Sequence, residues 1–398
     1  MQTRQGCSDK SMPKPLIHSC LALWALLAFA AAANAQPQAP ALISTDEQGC
    51  AGVNTAPADA VQACTALVGS GRYAGNNLAI VYFNRGIAYG RLGDYDRAIG
   101  EFDAAVRLNP TYTRAYSSRG SALLLTGNFD RAIASFDQAI RLDPNSATSF
   151  AGRGSAYRSK GDADRAIADF SQALRLNPGD AASYTERGIA SADKGDHDRA
   201  IADYEAALKI DSNYSLAYLN RGISWNAKKE SDKALADFDT AIRLTPESGA
   251  AYGSRGVALE AKGETERAIA DLDKAIALDP RNAGYLQSRG NAWRNHGRLD
   301  KALADYNQAL TLAPKNWLTY YYRAQVQYVA GNFREALADA TRTAELNANW
   351  APALSLRGLI QEKLGAKDAA IADLRRAAAL DPALPQPADA LRRMGILR

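Results

Sequence analysis

The chain has 398 residues, of which 47% are hydrophobic and 23% charged, with 47 Lys and Arg balanced by 43 Asp and Glu. A net charge of +4 spread this evenly is too near neutral for an electrostatic nucleic-acid binder. Length alone would suggest two or three globular domains, but abundant alanine and a lean toward tyrosine suit one helical array better.

Residues 1–35 stand apart from the rest. Arg4, Lys10 and Lys14 give a basic start, Leu16 to Ala33 is an apolar run, and Ala33-Asn34-Ala35 supplies the small-x-small site of a signal peptidase. A secretory signal peptide cut after Ala35 is expected, which places the chain in the periplasm or outside the cell. The alternative is a retained membrane anchor, since the apolar run is just long enough to span. No other segment could cross a membrane. Cys20 lies ahead of the apolar run behind His18, which is not a lipoprotein context. Losing Arg4, Asp9, Lys10 and Lys14 leaves 44 basic and 42 acidic residues, so the mature charge is +2.

Residues 36–45 read as a disordered Pro/Ala-rich tether without periodicity. Residues 46–78 form an N-terminal cap, in which Pro57 to Val68 is a helix with Ala60, Val61, Cys64 and Leu67 on one side. Cys7 and Cys20 leave with the signal. Cys50 and Cys64 remain, an even number in an oxidising compartment, and one disulfide between them is expected.

From Ala79 to Leu384 the chain runs as nine blocks of 34 residues without insertion or deletion. The block from Ala147 to Asp180 carries Phe150, Gly154, Tyr157, Ala166, Ile167, Phe170, Ala173, Leu174 and Leu176 at helical spacing. Gly161 and Asp162 split this set and Pro178 stops it, so each block is a pair of antiparallel helices. The eighth place is Gly or Ala from Gly86 to Gly358, and the twentieth is Ala from Ala98 to Ala370. Between them sits a plug: Phe102, Phe136, Phe170, Tyr204, Phe238, Leu272, Tyr306, Ala340 and Leu374. Such a pair has too little core to stand alone and needs a stacked neighbour. Pro385 to Arg398 begins a further helix, with Ala388, Leu391 and Ile396 able to cover the last hairpin and Arg392, Arg393 and Arg398 facing water.

The 34-residue period with its Gly, Ala, Phe, Ala, Pro order resembles the tetratricopeptide repeat family over residues 79–384, and the Cys-bearing lead-in resembles exported bacterial members. The resemblance implies an all-α, right-handed superhelical solenoid whose first helices line an inner groove. It also implies that the second, fifth, ninth, twelfth and thirteenth places face that groove. In the second block these are Arg114, Ser117, Ser121, Leu124 and Leu125. In the seventh they are Gly284, Gln287, Asn291, Arg294 and Asn295, and in the eighth Leu318, Tyr321, Gln325, Tyr328 and Val329. The set that clamps carboxyl termini in some relatives is not reproduced, since Phe83, Ser117 and Ala151 hold its places.

Two further features bear on function. Arg recurs in the seventh place of all nine blocks, at Arg85, Arg119, Arg153, Arg187, Arg221, Arg255, Arg289, Arg323 and Arg357. An acid recurs in the twenty-third place, broken only by Ser135. Because the acids track the arginines, a ladder of packing ion pairs is expected in preference to a polyanion site. Asp162, Asp164 and Arg165 recur as Asp196, Asp198 and Arg199, and these acids are expected as helix caps. His197 and His296 lie three blocks apart with no second ligand at metal spacing, no phosphate loop occurs, and the carboxylates all belong to periodic series. The 14 residues after the last block would leave no room for a fused catalytic domain. The expectation is a monomeric, non-catalytic scaffold without cofactor, nucleic acid or stable membrane span, which binds a protein or peptide segment. An envelope factor that binds glycan or regulates a peptidoglycan-associated enzyme is the alternative. Structural places repeat, so the site is sought where the repeat breaks toward larger residues: Tyr321, Tyr328 and Gln325 in block eight, with Arg294, Asn291 and Gln287 from block seven.

Overall fold

A computed structural model describes residues 45–52 and 54–397. The expected signal peptide, its cleavage point and nearly all of the 36–45 tether lie outside these residues. Among the described residues the secondary structure is twenty-one α-helices with no strand, and no helix is long and apolar enough to cross a membrane. They fall into two compact units, one ending at Lys228 and the other beginning at Lys229.

In the first unit, α1 (Thr45–Ala51) and α2 (Pro57–Gly69) form the cap. Four helix pairs follow: α3/α4 (Gly75–Arg91, Tyr95–Leu108), α5/α6 (Thr113–Leu125, Phe129–Leu142), α7/α8 (Ala147–Ser159, Ala163–Leu176) and α9/α10 (Ala181–Asp193, His197–Ile210). Then comes α11 (Ser215–Ala227). Two expectations need correction here. The tether does not reach 45, because Thr45 opens α1, and α3 starts at Gly75, ahead of the expected block start at Ala79. No helix breaker follows Gly75, and the added turn leads α3 onto the cap, where Val81 packs with Cys50, Cys64 and Leu67. A disulfide joins Cys50 to Cys64 with Cα atoms 4.7 Å apart, tying α1 to α2.

The second unit opens with α12 (Ser231–Leu244). Its pairs are α13/α14 (Gly249–Lys262, Thr265–Leu278), α15/α16 (Ala283–Asn295, Leu299–Leu312), α17/α18 (Trp317–Val329, Phe333–Leu346) and α19/α20 (Ala351–Lys363, Lys367–Leu380). The short α21 (Pro385–Arg393) closes it, with Leu391 buried against Leu374 and Ile396 packed beside them.

The packing rule within a pair is steric. A Cβ on Gly86 would stand 2.7 Å from the Phe102 ring, on Gly188 2.6 Å from Tyr204, and on Gly290 2.6 Å from Tyr306. The missing side chain is therefore the seat of the plug. Block eight inverts the arrangement: Ala324 and Ala340 are both fully buried, and Tyr321, Tyr328 and Phe333 pack against them. The methyl gained on one helix is far smaller than the ring lost on the other, and the three packed rings fill the difference.

The turn between paired helices is equally regular. The fifteenth residue of the block adopts the left-handed conformation, with φ of 75–83° at Gly93, Gly127, Gly161, Gly195, Gly263, Gly297, Gly331 and Gly365. Glycine reaches this region without steric cost. At the equivalent place in block five the residue is Lys229, with φ 65°.

Candidate binding face

The arginine series is the first feature to place. Arg289 shows the pattern. Its Nε and one terminal nitrogen donate to the two carboxylate oxygens of Asp305 at 2.9 and 2.6 Å, sixteen residues on in the same hairpin. The other terminal nitrogen donates to Asp273 of the preceding hairpin at 2.6 Å. Arg153 bridges Asp169 and Asp137 in the same way, and Arg255 bridges Asp271 and Asp239. Most of these arginines also lie over the aromatic one turn earlier, as Arg153 does over Phe150 at 5.5 Å and Arg323 over Tyr320 at 5.6 Å. The carboxylates, that of Asp305 first, hold the Arg289 guanidinium well above arginine's ordinary pKa.

Pairing with the twenty-third place is thus within the block. Arg119 is the rung that lacks the usual acid: its Nε donates to Ser135 at 3.1 Å, while Asp103 of the preceding hairpin supplies its charge partner at 2.7 Å. The contact to the preceding hairpin comes from the twenty-fifth place, a second series that reading the twenty-third alone misses. Its consequence is that one arginine fastens three helices.

The recurrent acids at the turns divide their work. Asp162 and Asp196 cap α8 and α10, accepting from the backbone N–H of Arg165 and Arg199 at 3.1 Å. Asp164 and Asp198 do not cap; they pair with Lys194 and Lys228 of the following hairpins.

The expected groove places of the first unit are largely filled. Leu124 is 1% exposed and Ser121 2%, so the groove places of the second block, around Arg114, Leu124 and Leu125, do not form an open surface. Arg114 lies over the ring of Phe83, 5.1 Å from its centroid. Further along, Arg158 and Glu186 form an ion pair at 2.9 Å with side chains only 3% and 5% exposed.

The first-helix face of the second unit carries more. Trp317 and Trp350 meet edge to face at 4.7 Å, Tyr321 meets Trp350 at 4.6 Å, and Tyr322 lies 5.8 Å from Tyr321 and 6.3 Å from Tyr306. Arg294 spreads over Tyr322 at 5.0 Å and donates to the Gln325 side chain at 2.9 Å. Behind it, the Asn295 amide donates to Glu260 Oε1 at 2.8 Å and faces Arg294 with its oxygen at 3.4 Å. A polar chain from Glu260 to Gln325 therefore crosses α13, α15 and α17 beside a band of half-buried rings.

Of the six residues expected here, Arg294 and Gln325 meet directly. Tyr321 and Tyr328 are half-buried, packed on Trp350 and Phe333 respectively, and so serve core and surface together. Gln287 is 6% exposed, and its Oε1 accepts from Thr319 at 2.5 Å and Asn316 at 3.1 Å, which fixes the start of α17. Asn291 accepts from the Tyr306 hydroxyl at 2.7 Å. These two amides hold structure and leave the face to Arg294, Asn295, Gln325 and Glu260. Reading the twelfth place down the chain exposes the residue that pattern reasoning passed over. Leu124, Arg158, Glu260 and Arg294 share that place, and a charged side chain at a twelfth place is a departure from the small or apolar residue of the early blocks. No group of three or more His, Cys, Asp and Glu residues placed to hold a metal occurs among the described residues.

Comparison with known proteins places this geometry. Residues 83–147, 152–215, 227–283 and 321–385 match one tetratricopeptide repeat model, and residues 283–316 match a second. The chain belongs to the tetratricopeptide repeat family, a class of helical scaffold for protein–protein interaction. No curated protein matches its sequence. Among solved structures it is similar to the Cut9–Hcn1 hetero-tetramer of the APC/C, at 16% identity over 85% of this chain and 82% of that one, TM-score 0.58. A tetratricopeptide repeat protein from Parabacteroides merdae aligns at 19% identity over 63% of this chain and 98% of that one, TM-score 0.53. The human IFIT1 dimer with m7Gppp-AAAA aligns at 16% identity over 94% and 96%, TM-score 0.54. One fold thus serves a protein assembly and an RNA-bound dimer, and these likenesses show the fold alone.

Proposed function

We propose that this protein is an exported, non-catalytic scaffold that binds a protein or peptide segment on the first-helix face of its second unit, around Arg294, Gln325, Tyr321 and Tyr328. The observation that carries the reading is the Arg294–Gln325–Tyr322 cluster. Tyrosine and arginine in half-buried positions are the side chains that most often dominate interfaces, and here they sit beside an exposed Val329. The near-neutral, well-paired charge of the chain favours a protein partner over RNA. The basic start, apolar run and Ala33-Asn34-Ala35 favour export.

Tyr321 and Tyr328 touch the core, so the binding test uses Arg294→Ala with Gln325→Ala, and Tyr328→Leu as a volume-sparing third change. The mature chain and the variant are used as bait in periplasmic extract, with thermal unfolding in parallel. Loss of a captured partner at an unchanged melting temperature supports the site, and capture unaffected by the changes removes it. Export is tested by mass spectrometry of the native protein. Gln36 is the expected N-terminus, and an intact Met1 in the cytoplasmic fraction overturns the reading.

A further inference from the structure

The ladder arginines of the second unit are regularly paired, and against them two charges on the first-helix face stand out. The described ladder arginines of the second unit, Arg255, Arg289, Arg323 and Arg357, each hold a carboxylate, and Lys262 and Arg393 hold Asp232 and Glu362. Arg294 does not. Its hydrogen bonds go to the amide oxygens of Gln325 and Asn295, and it has no ion-pair partner among the described residues. Glu260, at the same place one hairpin earlier, is its counterpart. Glu260 Oε1 receives the neutral amide of Asn295, while Oε2 is shielded from water and has no hydrogen-bond partner. Two opposite charges therefore face the same side of neighbouring first helices, separated by one exposed carboxamide, and neither is neutralised by the other.

A partly desolvated carboxylate satisfied by a neutral amide is an unfinished ion pair. Removing a carboxylate oxygen from water costs free energy that an amide on the other oxygen returns only in part, whereas a cation returns more. Asn295 is exposed and can swing aside, so a cation can take its position at Glu260. Arg294 lies over Tyr322 with its N–H groups donating to the neutral oxygens of Gln325 and Asn295, which a carboxylate can replace as a stronger acceptor.

We infer that the segment bound on this face carries a basic side chain that seats on Glu260 and an acidic side chain that seats on Arg294, so that the pair of charges sets the direction in which the segment lies. This rests on the binding reading above and adds the chemistry of the partner. It makes recognition polar and salt-sensitive, with the aromatic band supplying contact area and the two charges supplying register.

The test uses arrays of short synthetic peptides probed with the mature chain. Each peptide with a Lys or Arg followed at varied spacing by Asp or Glu is compared with versions carrying Gln at either place and with the charge order reversed. The wild type should retain the doubly charged peptides about tenfold better than either Gln version and prefer one order. Glu260→Gln should lose the preference for the basic residue and keep that for the acid. Arg294→Gln should do the opposite. Glu260→Lys should invert the first preference, a gain that misfolding cannot mimic. Binding that depends on Tyr328 but ignores charge overturns this inference and leaves the proposed function standing. Binding of no peptide at all overturns both.

Discussion

At the scale of single residues, the repeat is governed by what glycine permits. Lys229 is the non-glycine residue held at positive φ among the described residues, at a turn where glycine stands in the other blocks. A side chain in that region costs about 1 kcal/mol. Lys229→Gly should therefore raise stability by roughly that amount in denaturant titration, less the chain entropy glycine restores to the unfolded state. An unchanged or lowered midpoint would show that the lysine is held there by contacts worth more than the strain. Tyr306 offers a second residue-scale test. Burial, above all, pushes its hydroxyl well above tyrosine's ordinary pKa, and Asn291 accepts its proton. The folded state thus keeps a proton that the unfolded chain releases near pH 10. Its stabilising contribution is complete below that pH and falls as the pH rises through the unfolded value. Absorbance titration should show Tyr306→Phe reducing the late, unfolding-linked phenolate fraction.

At the scale of helices, the arginine rungs decide how hairpins are joined. Arg289→Ala strands Asp305, which is 5% exposed, and should cost about 1–3 kcal/mol. The natural defect at Ser135 gives the converse experiment. Ser135 is buried beside Arg119, where every other block has an acid, so Ser135→Asp should complete the rung and raise the melting temperature. A fall on that substitution would mean that Asp103 already satisfies Arg119 and that a second carboxylate is buried at a loss. Much at this scale was legible in the sequence, because each hairpin is built from local spacing: Gly at the eighth place, a plug sixteen residues on, and Arg with its acid at the same separation. What was not legible depended on which neighbour a side chain turns toward. Gln287 and Asn291 read as surface amides because their places face inward by family geometry, yet both turn to the adjacent helix. Glu260 escaped notice because its significance lies in meeting a neutral amide in place of a cation, which its twelfth place alone does not tell.

For the molecule as a whole, the cap is the part least governed by the repeat. Its core is small, with Cys50, Cys64 and Leu67 buried against Val81. The bridge closes a loop of about 15 residues and contributes about 3 kcal/mol in the chain-entropy model. Reduction should raise hydrogen exchange in α1 and α2 while α13 to α20 keep their protection. Uniform loosening of all helices would refute a locally acting bridge, and finding both thiols free in the native protein would remove it. The covered ends and the half-buried aromatic face differ: the first are packed under α21 and the cap, while the second keeps Val329 exposed beside its rings.

The three-helix grip of Arg153, Arg255 and Arg289 has a mechanical meaning. At these rungs a hairpin cannot peel from its neighbour without tearing a guanidinium from carboxylates on both. Under a pulling force the repeats should resist like clasped links and then give way one at a time. Each rupture would release 34 residues, a contour gain of about 11–12 nm. Rungs with a single acid, such as Arg357, should part at lower force than those with two. The protein is in that sense a spring whose stiffness is written in the spacing of its arginines.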